Sequence, residues 1–203
     1  MIDDLGVPPW GAIALVSYVP DPLRSVVAEI RQLLPGDDDP EPHITILPPR
    51  PLRQSVHAAS TAIRATLERF EPFDVELSHV RRFPETNFIY LDIGNGNTVI
   101  RELHAALNDG GLHDAERFEF RPHLTLGGPF ETEEVADAQR TADLAWRGRR
   151  VTSWVPIENL VCLWMPPHSR WRDWRRVWSH QLAGAARNPP RQMVASALTT
   201  QTY

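Results

Sequence analysis

The sequence predicts an α+β fold of two lobes, each a mainly antiparallel sheet backed by helices, set around a central cleft. Three observations predict it. A five-residue phrase occurs twice, as Pro42-His43-Ile44-Thr45-Ile46 and Pro122-His123-Leu124-Thr125-Leu126, with the histidines 80 residues apart. Each copy alternates polar and apolar residues with period two, the mark of a half-buried strand. Around both copies, alternating runs are interleaved with runs of helical period, which pack as sheet and helix layers.

The elements follow in order. Gly11–Val19 is a short apolar run and reads as the first strand. Asp21 then supplies an N-cap and Pro22 a first helical residue. Leu23, Val26, Val27, Ile30, Leu33 and Leu34 carry the helix over 22–34. The first motif strand follows a loop at 37–41, and Pro48, Pro49 and Pro51 stiffen its exit. Val56, Ile63, Leu67 and Phe70 mark a second helix. Phe73–Val80 and Asn87–Ile93 alternate as strands around a loop at 81–86, with Phe88, Tyr90 and Asp92 on one face of the second. Gly94-Asn95-Gly96 turns into a helix with the stripe Val99, Leu103 and Leu107, stopped at Gly110-Gly111. After the second motif strand, Thr132 caps a helix across Glu133–Arg147. Arg150–Val155 and Ile157–Met165 read as strands. Trp171, Trp174 and Trp178 fit a helical stripe, while Trp174, Trp178 and Leu182 fit one strand face, so periodicity leaves both open. Residues 1–186 are expected to form one bilobal domain, and 187–203, which lack an apolar period, a flexible tail.

Composition excludes several function classes. No apolar run approaches the ~20 residues of a membrane span. The start, Met1-Ile2-Asp3-Asp4, is acidic where a secretory signal is basic. A cytoplasmic protein with no membrane partner, acting as a monomer, is the expectation. The formal charge of −5 argues against a protein that coats long nucleic acid. All 21 basic residues are arginine. That removes Schiff-base lysines, phosphate-loop lysines and nucleotidyl transfer through a lysine adduct. Cys162 is the single cysteine, so an internal disulfide and a cysteine metal cage are both excluded.

The repeated phrase carries the chemistry. Period two puts His43 and Thr45 on one face of their strand, and His123 and Thr125 on one face of theirs. Ile44, Ile46, Leu124 and Leu126 take the opposite faces, toward helices. One such pair is commonly a solvated polar face; the same residues in the same order twice make that reading the minority one. Two imidazoles across a cleft suit a reaction in which one proton is removed and another delivered, since an imidazole titrates near ~6.5. Two hydroxyls beside them suit the non-bridging oxygens of a phosphate.

With two His-x-Thr-apolar motifs half a chain apart, residues 10–184 resemble the two-histidine phosphoesterase superfamily, and within it the group of bacterial 2′-5′ RNA ligases and cyclic phosphodiesterases. The resemblance implies two sheet lobes related by a pseudo-twofold axis, with the motifs opposed across a groove. It implies hydrolysis of 2′,3′-cyclic phosphate or 2′-5′ linkages in nucleotides or RNA ends, reversible as ligation, with neither metal nor cofactor. His43, His123, Thr45 and Thr125 would be the catalytic residues. It also favours a strand near 174–182.

Further candidates rest on position. Arg121 lies on the His123 face and could meet phosphate. Arg50, after the prolines, is a comparable candidate, and Tyr90 and Phe83 are candidates for stacking on a base. The run Arg170–Arg176 interleaves aromatics with cations as single-strand binding surfaces do, although small cores also use such tryptophans. Of the six remaining histidines, His168 is nearest in kind to a substrate-approaching residue; His57, His79, His104, His113 and His180 read as surface or packing residues. Two competing classes are a non-catalytic nucleotide- or RNA-end-binding module and a histidine-based metal hydrolase. The metal hydrolase needs a ligand cluster that two separated strands do not offer.

Overall fold

The structure is a computed structural model that describes residues 10–36, 40–169 and 173–184. Two four-stranded antiparallel sheets form the frame. The first has the order β2-β1-β7-β8, from β1 (Ala12–Tyr18), β2 (His43–Pro51), β7 (Asn159–Met165) and β8 (Arg175–Gln181). The second has the order β5-β4-β3-β6, from β3 (Phe73–Arg82), β4 (Ile89–Ile93), β5 (His123–Gly127) and β6 (Trp154–Ile157). The α+β expectation of two antiparallel sheets with helices behind them holds. The lobes are not the halves of the chain, however. β3 and β4 leave the first half to join β5, and β7 and β8 return to complete the first sheet.

Each motif strand is the outermost strand of its sheet, and β2 and β5 approach each other. Prolines suit such an edge, because a missing N–H there breaks no ladder. The predicted alternation is present: Ile44, Ile46, Leu124 and Leu126 are all 0% exposed, while His43, Thr45, His123 and Thr125 are half-buried. Those four aliphatics belong to one apolar core shared by both sheets.

The helices are α1 (Leu23–Gln32), α2 (Val56–Leu67), α3 (Asn97–Leu107) and α4 (Val135–Gly148). α1 starts one residue later than expected, with Pro22 at the cap and the Asp21 carboxylate accepting from the Ser25 hydroxyl at 2.7 Å. α2 is capped by Ser55, whose Oγ accepts from the Ala58 amide. Gly96 precedes α3 at φ +83, where a Cβ would lie 2.5 Å from the Asp74 carbonyl oxygen, so the turn needs glycine. The buried stripe of α3 is Ile100, Leu103, His104 and Leu107 instead of one led by Val99, because the helix docks on β2 through its His104 side. α4 begins after a turn at 132–134 rather than at a Thr132 cap, since Glu134 and Val135 donate back to the Glu131 carbonyl. β3 runs two residues past Val80 because Arg81 and Arg82 pair with Tyr90 and Ile89.

The Trp174–Leu182 stretch resolves as strand β8. Trp178 donates its indole N–H to the Ser60 hydroxyl at 2.8 Å and stacks under Arg64. Trp171 and the expected tail at 187–203 lie outside the described residues. Among the described residues, no helix is long and apolar enough to cross a membrane.

Candidate active site

The two motif histidines are held by the same bond. Nδ1 of His43 lies 2.7 Å from the carbonyl oxygen of Glu41, and Nδ1 of His123 lies 2.7 Å from that of Arg121. A carbonyl oxygen only accepts, so in both rings Nδ1 carries the proton and donates it. Nε2 is left in both as the nitrogen that can take or give a proton. Glu41 and Arg121 each stand two residues before their histidine, separated from it by the proline that precedes the strand, Pro42 or Pro122.

Their surroundings differ. Tyr18, opposite His43 in the β1–β2 ladder, meets its ring edge-on at 6.1 Å. Asp92 stands opposite His123 in the β4–β5 ladder, and Tyr90 opposite Thr125. The His123 ring packs edge-on against Phe83 at 4.9 Å and Tyr90 at 5.4 Å. Burial lowers the His123 pKa below the ordinary imidazole value, against the raising effect of its bond to the Arg121 carbonyl. His43 lowers it further and Asp92 raises it.

Thr45, His123 and Thr125 line a cavity of about 670 Å³, within the roughly 300–1,000 Å³ range of small-ligand sites. Its far wall is made by the 83–88 turn and by the segment 114–121 that leads into β5. Arg121 lies on this wall and donates to the Tyr90 hydroxyl at 3.1 Å. Phe83 lines the cavity and covers Tyr90 in a 4.1 Å stack. Tyr90 itself is 1% exposed, so of the two aromatics only Phe83 offers a face to a ligand.

Arg50 is placed differently from the sequence expectation. It is 2% exposed, and its guanidinium is taken up by the Glu116 carboxylate at 2.6 Å, the Leu112 carbonyl at 3.0 Å and the Asn108 side chain. It braces the cavity wall instead of entering the cavity. His168 sits in the turn after β7, at φ +61, outside the cavity lining. Cys162 is buried, and burial pushes its thiol up to about 12, which excludes a nucleophile. Among the described residues, no group of three His, Cys, Asp or Glu side chains is placed to hold a metal ion.

Sequence reasoning missed four contributors. Tyr18 carries no motif and is found only through the ladder register. Asp92 was within reach, since the alternation of β4 put it on the Tyr90 face. Arg31 on α1 donates to the Thr125 carbonyl at 2.7 Å and to the Pro40 carbonyl ahead of β2. His104, read as a surface or packing residue, is 6% exposed and binds the Ile46 carbonyl at 3.0 Å.

Known proteins share the family and the fold of this chain. Residues 19–159, which include both motifs, match the model of the 2′-5′ RNA ligase superfamily. A protein of Oceanobacillus iheyensis, provisionally named a phosphoesterase, is 28% identical over 106 residues, covering 48% of this chain and 62% of the relative. A second, from Halalkalibacterium halodurans and named likewise, is 28% identical over 98 residues, 47% of this chain and 57% of the relative. The chain thus spans less than two thirds of the length of these relatives. Among solved structures, Escherichia coli LigT in complex with 3′-AMP matches with a TM-score of 0.57 at 12% identity, over 86% of this chain and 99% of that one. LigT in complex with ATP gives 0.55 at 14%, over 86% and 98%, and Usb1 of Kluyveromyces marxianus gives 0.54 at 9%, over 75% and 93%. At such identities these likenesses speak for the fold, which is that of the two-histidine phosphoesterases. With a family match over more than half of its length, the chain belongs to the 2′-5′ RNA ligase superfamily.

Proposed function

We propose that the protein is a metal-independent phosphodiesterase that opens 2′,3′-cyclic phosphates, or cleaves 2′-5′ linkages, of nucleotides or RNA ends. The observation that supports this reading is the shared tether of His43 and His123, which commits Nδ1 of each ring to a carbonyl and gives Nε2 the proton-transfer role, with Thr45, His123 and Thr125 lining the cavity. LigT, which shares the fold, is solved in complex with 3′-AMP, a nucleoside monophosphate of the kind this reaction releases, and this supports the substrate class.

In the proposed reaction, Nε2 of one histidine takes a proton from water while the water oxygen bonds to phosphorus. The bond from phosphorus to one ribose oxygen breaks, and Nε2–H of the other histidine protonates that oxygen. The product is a nucleoside 2′- or 3′-monophosphate. Exchange with solvent returns both rings to their starting states. Thr45 and Thr125 stabilise charge on the non-bridging oxygens, where fixed donors contribute most to phosphoryl chemistry. The lowered pKa keeps His123 neutral at neutral pH, which suits it to the base role and leaves His43 as the acid. With a 5′-hydroxyl in place of water as the nucleophile, the same groups join RNA ends: the bond from the 5′ oxygen to phosphorus forms as the cyclic bond to one ribose oxygen breaks and that oxygen is protonated.

The test is turnover of nucleoside 2′,3′-cyclic phosphates by the protein in excess EDTA. Release of a monophosphate at an undiminished rate is expected. A protein that binds these nucleotides without turnover would be a binding module, and the proposal would fall.

A further inference from the structure

The segment 113–121 carries no regular element, yet it forms the outer wall of the cavity and leads directly to His123. A buried cluster holds it against the other sheet. Arg50, on the same strand as Thr45, donates Nη2 to Glu116 at 2.6 Å and Nη1 to the Leu112 carbonyl at 3.0 Å and to Asn108. The Asn108 Oδ1 also accepts from the Asp114 amide at 2.9 Å. His104 lies with Nε2 3.2 Å from Glu116 and stacks flat on Phe120 at 3.7 Å. All three donor nitrogens of Arg50 are engaged, the third by the Pro48 carbonyl at 3.2 Å. A planar fork of this kind fixes its partners in direction as well as distance.

The wall presents an aromatic ring among charges: Asp114, Glu116, Arg117, Glu119 and Arg121 line the cavity beside Phe118, and the Arg117 guanidinium lies 5.2 Å from the centre of the Phe118 ring. Phe118 is 48% exposed at the cavity, although a large apolar side chain gains little from facing water. Phe83 and Phe88 line the same space from the 83–88 turn, with Pro48 and Pro49 beside them. That turn is itself held by the Phe83 and Asn87 amides, each donating across it at 2.9 Å. Aromatic faces thus stand in the cavity among Glu85, Arg117, Glu119 and Arg121, a setting suited to a planar group.

We infer that Arg50 is a positioning residue for this wall, and that the wall, through Phe118, seats the base of a nucleoside substrate while the motifs handle its phosphate. This rests on the phosphodiesterase reading and deepens it. Arg50 acts without touching substrate, so its removal loosens base recognition and leaves proton transfer in place.

The experiment compares two substrates, a nucleoside 2′,3′-cyclic phosphate and the cyclic phosphate of methyl riboside, which has no base. Wild-type protein is expected to favour the nucleoside by about tenfold or more in kcat/KM, the scale of one aromatic stack. Arg50→Met is expected to raise KM for the nucleoside about tenfold with kcat nearly unchanged, to leave the base-free substrate unaffected, and to be partly restored in Arg50→Lys. Phe118→Ala, an exposed change that does not endanger folding, is expected to give the same split, and it decides the matter should Arg50→Met not fold. Equal loss on both substrates, or a fall in kcat alone, would overturn the positioning role. An unchanged nucleoside KM in Phe118→Ala, or a wild type indifferent to the base, would overturn the wall. A wild type that turns over neither substrate would reject the phosphodiesterase reading itself.

Discussion

Arg31 donates from Nη2 to the carbonyl oxygen of Thr125 over 2.7 Å, so a helix that follows the first strand of one sheet holds the motif strand of the other. The same guanidinium donates to the Pro40 carbonyl, three residues before His43. One side chain therefore ties the approach to the first motif to the backbone of the second.

Arg31→Ala is expected to lower both stability and turnover. A hydrogen bond from a charged group contributes about 1.5–3 kcal/mol, and partial exposure puts this loss near the lower end. Urea unfolding and kcat on a cyclic nucleotide check it; a variant as active and stable as the wild type would show that the sheets hold their spacing without Arg31.

His43→Ala and His123→Ala are each expected to reduce turnover by about 10²–10⁴-fold. The double variant should be little worse than the poorer single one, because groups that act as a unit are not additive. Thr45→Ala and Thr125→Ala should cost less, since each removes one contact to phosphate and leaves proton transfer intact. Steady-state rates of the five variants decide it, and multiplicative losses in the double variant would contradict a shared step.

The acid limb of the kcat/KM profile follows from His123. The base role proposed for it needs the neutral ring, and its pKa is lowered, first by burial. The limb should fall below the ordinary imidazole value of ~6.5. Asp92 raises that pKa, so Asp92→Asn should move the limb to still lower pH. A limb that moves upward in Asp92→Asn would contradict the assignment.

Stability should respond to pH in the same region. His104 and His123 both have folded pKa values lowered by burial, so the unfolded chain takes up protons near ~6.5 that the folded chain refuses. Their contribution is complete above ~6.5 and is lost as pH falls through the folded values. Urea midpoints at pH 7.5 and 5.5 check the sign, and a higher midpoint at pH 5.5 would contradict it.

Much of this was legible in the sequence because period two is a strict rule. Ile44, Ile46, Leu124 and Leu126 are fully buried as alternation requires, and the motif residues share the other face. Helix existence was equally legible, from apolar stripes such as Leu23, Val27 and Ile30. What the sequence hides is contact between distant segments. Arg50 reads as a free cation after two prolines, and only the fold brings Glu116 to it. His104 sits in a helix whose stripe reads equally well from Val99, until docking on β2 selects the Ile100 side. The exchange of strands between the halves is hidden for the same reason, since pairing of β1 with β7 joins segments about 150 residues apart.

The central claim, that His123 is the base and His43 the acid, is tested most directly by the leaving group. An ester with a p-nitrophenolate leaving group needs no proton on departure and so no acid. The account predicts that such a substrate restores His43→Ala to within about tenfold of the wild-type rate while His123→Ala stays inactive. Rescue of both variants, of neither, or of His123→Ala alone would contradict it.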